Sequence, residues 1–263
     1  MFSNSALVDY TKISPNKGNW NSEKQQYVAD RKYPISRITI HCTAFQCSVE
    51  TLGAVFAKSS KQASSNYGIG QDGKVGLYVY EKDRSWCSSS SDNDNRSVTI
   101  EVSSDNTSPY SVTDEAYAKL LDLVTDICKR NGKDKIIWFG DKTKALEYQP
   151  KDNEMVMTIH RWFASKSCPG KMLYDSHPAI AEEVNKRLSA TECEVILPIL
   201  SKGMKSGYVK SMQILLNKYI NAKLEEDGQF GSLTEKQVKR YQKIVGYEQT
   251  GICDGKMWKH LLQ

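Results

Sequence analysis

Two histidines and one cysteine, His41, His160 and Cys168, are the side chains of this sequence best suited to hold a divalent metal. His41 lies at the end of an alternating run, Arg37–Ala44, with Ile38 and Ile40 on one face and Thr39 and His41 on the other. His160 closes a second strand-like run, Met155–His160. Both imidazoles therefore fall opposite the large aliphatics of their strands. Cys168 follows His160 by eight residues, too far for one helical turn, although a loop leaving a strand end can return to the same point. Two imidazoles and a thiolate form a three-ligand zinc set with a fourth position left for water, which is the catalytic rather than the structural pattern. The spacing is equally compatible with two unrelated histidines and a buried thiol.

Glu101 stands between Ile100 and Val102 in another alternating run, Ser97–Ser103, where Val98, Ile100 and Val102 share one face. A carboxylate there, facing a metal, can accept a proton from bound water and return it to a leaving amine. Facing solvent, it is the paired glutamate of an edge strand. Lys166, two residues before Cys168, can steady a developing oxyanion, or simply be a solvated loop lysine.

These residues need a scaffold, and the pattern supplies one. Ser48–Lys58 has helical spacing at Leu52, Val55 and Phe56, with Ser48 as N-cap. Tyr67–Tyr80 reads as a hairpin turning at Gln71-Asp72-Gly73-Lys74. Thr113–Arg130 carries the stripe Tyr117, Leu120, Leu121, Val124, Ile127 and Cys128, and stops at Asn131-Gly132. Lys135–Phe139 is a further strand, and Ala179–Leu188 a closing helix. This order predicts an α/β domain with a mixed central sheet flanked by helices. Ser189–Gly207 breaks the pattern with Pro198, Gly203 and Gly207, so a linker is expected over 189–206. Beyond it, Val209, Met212, Leu215, Leu216 and Tyr219 are helically spaced; Ser232 and Glu235 form a capping box; Asp254 caps a last helix. The expected domains are thus 1–188 and a small three-helix module, 207–263.

Composition sets the outer limits. The 263 residues are 39% hydrophobic and 25% charged, values of an ordinary globular chain rather than a fibrous or disordered one. The longest clearly apolar stretch, Val195–Leu200, is interrupted by Pro198 and is far too short for a membrane span. The first residues lack a basic n-region and a long apolar core, so no signal peptide is expected. Of the net charge of +5, Lys205–Gln263 carries +4, which suits an anionic partner or a solvated helical surface. That segment has a single arginine, Arg240, and no recognition-helix pattern, which argues against nucleic acid. Seven cysteines without a Cys-x-x-Cys motif point to a reduced compartment rather than a disulfide framework. A Cys42–Cys47 bridge is left open.

Several segments together resemble the type-2 N-acetylmuramoyl-L-alanine amidases. They are His41-Cys42-Thr43-Ala44, Val98-Thr99-Ile100-Glu101-Val102, and His160 through Lys166-Ser167-Cys168-Pro169-Gly170. That family includes many phage endolysins and shares its fold with peptidoglycan recognition proteins. The similarity covers roughly Val8–Leu188, and Ala63 to Gly70 with Asn95-Arg96-Ser97 is most like clostridial-type phage lysins. The tail, about Gly207–Gln263, resembles a three-helix peptidoglycan-binding domain through Met212–Leu216, Asp227–Gly231, Thr234, Tyr241-Gln242 and Trp258.

The resemblance implies zinc (Zn2+) on His41, His160 and Cys168, Glu101 as general base and acid, and Lys166 as transition-state stabiliser. It implies cleavage of the amide between N-acetylmuramic acid and L-alanine. Trp86, Asn66 and Tyr67 are the substrate-contacting candidates. Family members often carry a histidine after the tryptophan matched by Trp86, where this chain has Cys87. Some relatives also place a tyrosine near the zinc; here the register is open between Ser65 and Tyr67. The expected partner is bacterial peptidoglycan, with no nucleic acid, no membrane insertion and a monomeric chain. The expected site of action is the cell wall, reached from the cytoplasm by holin- or lysis-dependent release. Two other readings stay open: a non-catalytic wall-binding protein of this fold, and a cysteine peptidase pairing Cys168 with His160.

Overall fold

A computed structural model describes residues 4–28, 30–190 and 197–262. The chain divides into two compact units, Met1–Thr191 and Glu192–Gln263.

Among the described residues of the first unit the strands follow in order: β1 Tyr10–Thr11, β2 Asn19–Asn21, β3 Gln26–Val28, β4 Arg37–Cys42, β5 Tyr67–Ile69, β6 Val75–Leu77, β7 Ser97–Val102, β8 Lys135–Ile137 and β9 Glu154–Thr158. Its helices are α1 Val49–Phe56, α2 Ser91–Arg96, α3 Asp114–Arg130, α4 Lys142–Glu147 and α5 Gly170–Ser189. Seven strands form one sheet in the order β1-β6-β5-β7-β4-β9-β8, and β2 and β3 pair separately. Every pair in the large sheet is parallel except β5 with β6, the expected hairpin. The sheet is therefore mixed and flanked by helices, as the element order predicts.

Alternation divides the central strands by chemistry. Ile38, Ile40, Val98, Ile100 and Val102 join the main core with Leu120, Leu123, Val124 and Ile127 of α3 and Leu173, Ile180 and Val184 of α5. Each such side chain contributes roughly 1.5–3 kcal/mol by leaving water. The alternate positions are polar and equally buried. Thr39 Oγ1 lies 2.6 Å from Ser97 Oγ and 2.8 Å from Thr158 Oγ1, and accepts from Asn93 Nδ2 at 2.9 Å. Parallel pairing places His41 opposite Glu101 on neighbouring strands.

Three helices depart from the expected pattern, among them the short α4, which Asp141 caps. The sequence Ser-Asp-Asn-Asp-Asn-Arg of α2 has no apolar repeat; it is held by the Ser90 cap and by buried Asn93, Asp94 and Asn95. Helix α5 begins nine residues earlier than expected and carries Pro178 in its interior. The apolar face Leu173, Ile180, Ala181 and Val184 packs on the core on both sides of that proline, which outweighs one lost backbone bond.

In the second unit α6 Gly207–Ile220, α7 Ser232–Ile244 and α8 Gly255–Leu261 close around Val209, Met212, Leu216, Phe230, Val238 and Trp258. Two buried glutamines each clamp a glycine turn. Gln213 accepts from Gly228 N–H and Gln242 from Gly251 N–H, both at 2.9 Å. Both glycines have positive φ, +74° and +75°, where a side chain would be strained. The expected capping box is not formed: Gly231 is the N-cap of α7, and the Glu235 side chain is drawn to Lys202 and Lys239 instead. Asp254 caps α8 as expected. Of the expected linker, residues 191–196 lie outside the described residues. Residues 197–206 belong to the helical unit: Leu200 is fully buried, and Trp258 donates to the Pro198 carbonyl at 2.9 Å. Among the described residues no helix is long and apolar enough to cross a membrane.

Candidate active site

His41 lies near the C-terminal end of β4 and Glu101 in the same position of β7, on the polar face. His160 does not end a strand: β9 stops at Thr158, and His160 opens a short 3-10 turn, His160–Trp162. That turn starts the loop that returns through Lys166 to Cys168, two residues before α5.

The three expected ligands meet. One ligand atom each from His41, His160 and Cys168 lies within 4.8 Å of the others. Cys168 Sγ is 3.3 Å from His41 Nδ1, close to the edge of about 3.6 Å between nitrogen and sulfur ligands of a tetrahedral zinc. The two imidazole centroids are 5.1 Å apart. Ser89 Oγ, 3.0 Å from Nε2, orients the His160 ring through one nitrogen, as supporting groups do for metal-bound imidazoles.

The electrostatics suit a metal. His41 is fully buried, and its Nε2 has no hydrogen-bond partner. Burial, and then the neighbouring His160, holds it far below the usual histidine range, in the neutral form that ligates. Burial and Lys166 lower His160 in the same direction. The Cys168 thiol is pushed up by its hydrogen bond with Cys42 and by burial, while Cys42 is lowered to about 7 by the same bond. A divalent cation would reverse the direction at Cys168. The donor set and its closeness fit zinc.

Glu101 faces the same cleft. Its Oε2 is buried without a partner, and Oε1 lies 3.8 Å from Cys87 Sγ. Burial, then Cys42, raises its carboxyl to about 8. The cleft, about 400 Å³, is also lined by Trp86, Lys61, Phe45 and Lys166. The Lys166 side chain is exposed at its rim.

Asn66 and Tyr67, expected to touch substrate, do not line this cleft. Both are fully buried. Asn66 Nδ2 donates to the Val79 and Tyr80 carbonyls at 3.2 Å, and its Oδ1 accepts from Thr99 N–H at 3.1 Å. Tyr67 donates to Glu81 Oε1 at 2.6 Å and accepts from Ser5 N–H at 2.9 Å. Asn66 thus ties the start of β5 to β7, and the Tyr67 hydroxyl ties it to Glu81 and Ser5. The Cys42–Cys47 bridge that the sequence left open is not formed: among the described residues both cysteines are free and buried.

Sequence reasoning missed Cys42, Cys87 and Ser89 as members of the site. Cys42 adjoins His41, and that adjacency is the only signal the sequence gives for it. Cys87 and Ser89 are placed by α2: Asp94 accepts from the backbone N–H groups of Cys87 and Ser88 at 3.0 and 3.1 Å.

A mixed-sheet domain whose cleft gathers two histidines and a cysteine could hold a metal ion, and comparison with known proteins specifies the family. The family model for N-acetylmuramoyl-L-alanine amidase matches residues 31–171, and the chain belongs to that family of peptidoglycan hydrolases. A second model, a peptidoglycan binding domain, matches residues 205–261. No curated protein sequence matches the chain. Among solved structures it is similar to a peptidoglycan-binding protein from Clostridioides difficile, at 31% identity over 24% of this chain and 40% of that one, with a TM-score of 0.23. It thus spans less than half of that relative's length. It is also similar to the endolysin amidase LysCS from Clostridium intestinale, at 13% identity over 70% and 98% of the two chains, TM-score 0.43. The Drosophila peptidoglycan recognition protein SD aligns at 19% identity over 64% and 92%, TM-score 0.41.

Proposed function

We propose that this chain hydrolyses the amide between the lactyl group of N-acetylmuramic acid and L-alanine, with zinc held by His41, His160 and Cys168. The supporting observation is that three ligand atoms from positions 41, 160 and 168 meet beside the partnerless oxygen of Glu101. Bound zinc would bring the pKa of a water near neutrality and polarise the scissile carbonyl. Glu101 takes the proton of the attacking water and hands it to the departing amine. Burial raises the Glu101 carboxyl, and a divalent cation beside it would draw it back down towards the ionised form that accepts a proton. Lys166, on the rim, sets positive charge against the oxygen that becomes negative. Trp86 supplies an apolar wall for the substrate.

The helical unit keeps the enzyme on an insoluble polymer and so raises its local concentration there. Its basic surplus suits an acidic wall. The partner is bacterial peptidoglycan, engaged by a monomer without membrane insertion and without nucleic acid. The enzyme reaches the wall after release from the cytoplasm.

Mass spectrometry of wall digests tests the reaction. Free L-alanine amino termini are expected; new reducing sugar ends without them would mean a glycosidase and overturn the assignment. The 3.3 Å approach of Cys168 Sγ to His41 favours a second reading, a thiol nucleophile. Such a nucleophile needs a lowered thiol pKa, and this thiol is pushed up. Chelation separates the two: the zinc enzyme loses activity and regains it with added zinc, whereas a thiol enzyme does not respond.

A further inference from the structure

The small hairpin of β2 and β3 is not part of the sheet that builds the site, yet it sets two aromatic rings, Trp20 and Tyr27, in line with Trp86 of the cleft wall. Trp20 and Tyr27 pair across the two strands with centroids 5.3 Å apart, and Tyr27 meets Trp86 at 5.0 Å. Trp20 and Tyr27 remain 52% and 55% exposed. A single exposed ring needs no explanation, but a contiguous row leading from a reactive cleft does. Trp86 forms a wall of the cleft and also lines an adjoining groove of about 600 Å³. Gln62, Arg84 and Ser91 add hydrogen-bonding groups to that groove.

The row is held rigidly. Trp86 Nε1 donates to the Gly18 carbonyl at 2.8 Å. Asn19 and Asn95 exchange side-chain hydrogen bonds at 2.9 Å in both directions. Lys17 pairs with buried Asp83 at 2.8 Å, and backbone bridges join Lys17 to Ser85 and Asp30 to Asp83. A hairpin fixed at its base loses little entropy when its rings are covered.

From these observations we infer that Trp20, Tyr27 and Trp86 form a saccharide subsite, which takes the β-1,4-linked amino-sugar strand bearing the scissile amide. This rests on the function proposed above and extends it to the glycan part of the substrate. Pyranose rings present apolar C–H faces that cover aromatic rings and a polar edge that hydrogen-bonds, the combination this row and groove offer. The row is continuous with the cleft through Trp86, so a strand lying on it delivers its lactyl amide to Glu101 without a separate binding event.

The test uses the full chain and a soluble β-1,4-linked N-acetylglucosamine tetrasaccharide, which has neither lactyl group nor peptide. Binding is followed by the tryptophan indole N–H resonances. Saturable shifts of Trp20 and Trp86 are expected. Trp20→Ala and Tyr27→Ala are each expected to raise Kd by about ten-fold, and Trp20→Phe to recover most of the loss. Both side chains are half exposed, so an unchanged Tm certifies the fold of each variant. Unmoved Trp20 and Trp86 signals, or parental Kd in the Trp20→Ala/Tyr27→Ala double variant, overturn the subsite. The probe holds no lactyl–alanine amide, the bond whose cleavage is proposed, so the two readings fail separately. Amide release from walls without saccharide shifts removes the subsite alone, and saccharide binding without amide release removes the catalytic reading alone.

Discussion

The two faces of the β7–β4–β9 layer are chemically opposite, and both are buried apart from half-buried Glu101 at the cleft. One face presents Ile38, Ile40, Val98 and Ile100 to α3 and α5. The other presents Thr39, His41, Thr99 and Glu101, tied through hydroxyls and Asn93. Aliphatic burial is non-directional and supplies stability. Buried polar groups cost free energy unless each finds a partner, so a polar face is retained where geometry matters. The two atoms left without partners there, His41 Nε2 and Glu101 Oε2, lie at the proposed site of chemistry. The difference teaches that stability and reactivity are separated by one strand position.

Substitutions on each face can break that separation. On the polar face, Glu101→Gln should lower amide release about a thousand-fold, within the range of lost general acid–base catalysis, with zinc content unchanged; steady-state rates on purified walls measure it. On the aliphatic face, Leu123→Ala should cost about 2–5 kcal/mol in denaturant unfolding, while rate and zinc per folded molecule stay parental. A rate loss matching that of Glu101→Gln would erase the contrast.

His177 gives the aliphatic side a pH signature. It is fully buried, and burial lowers it from 6.5 to about 4. A depressed histidine binds fewer protons folded than unfolded. Its contribution is therefore complete above pH 6.5 and is lost as pH falls towards 4, to an extent of about 3 kcal/mol. Urea midpoints across that window should fall in the parent and flatten in His177→Leu. The smallest effect is expected at Ser89→Ala, which removes the group orienting His160. Zinc affinity should weaken about ten-fold, the lower end for such supporting groups, with no change in Tm.

Much of this was legible in the sequence because it follows from periodicity. Alternation placed Ile38 against His41 and Ile100 against Glu101, and the 3.6 repeat gave α3, which the structure caps with Thr113. What could not be read depends on contacts remote in sequence. Helix α2 has no apolar period and exists because Asn93, Asp94 and Asn95 are bonded to distant loops and strands; with it came Cys87 and Ser89. Asn66 and Tyr67 were misread because a polar side chain beside a motif looks the same whether it meets substrate or Glu81 and Thr99. The β2–β3 hairpin was invisible because its large residues, Trp20 and Tyr27, face water rather than alternate into a core.

Cys168→Ala tests the meeting of the three ligands most directly, with bound zinc counted by elemental analysis and amide release and wall sedimentation read on the same preparation. Zinc should fall from about one ion per chain to a small fraction, and amide release should vanish while the variant still sediments with walls. A variant that keeps its zinc and lyses walls at the parental rate would contradict the account.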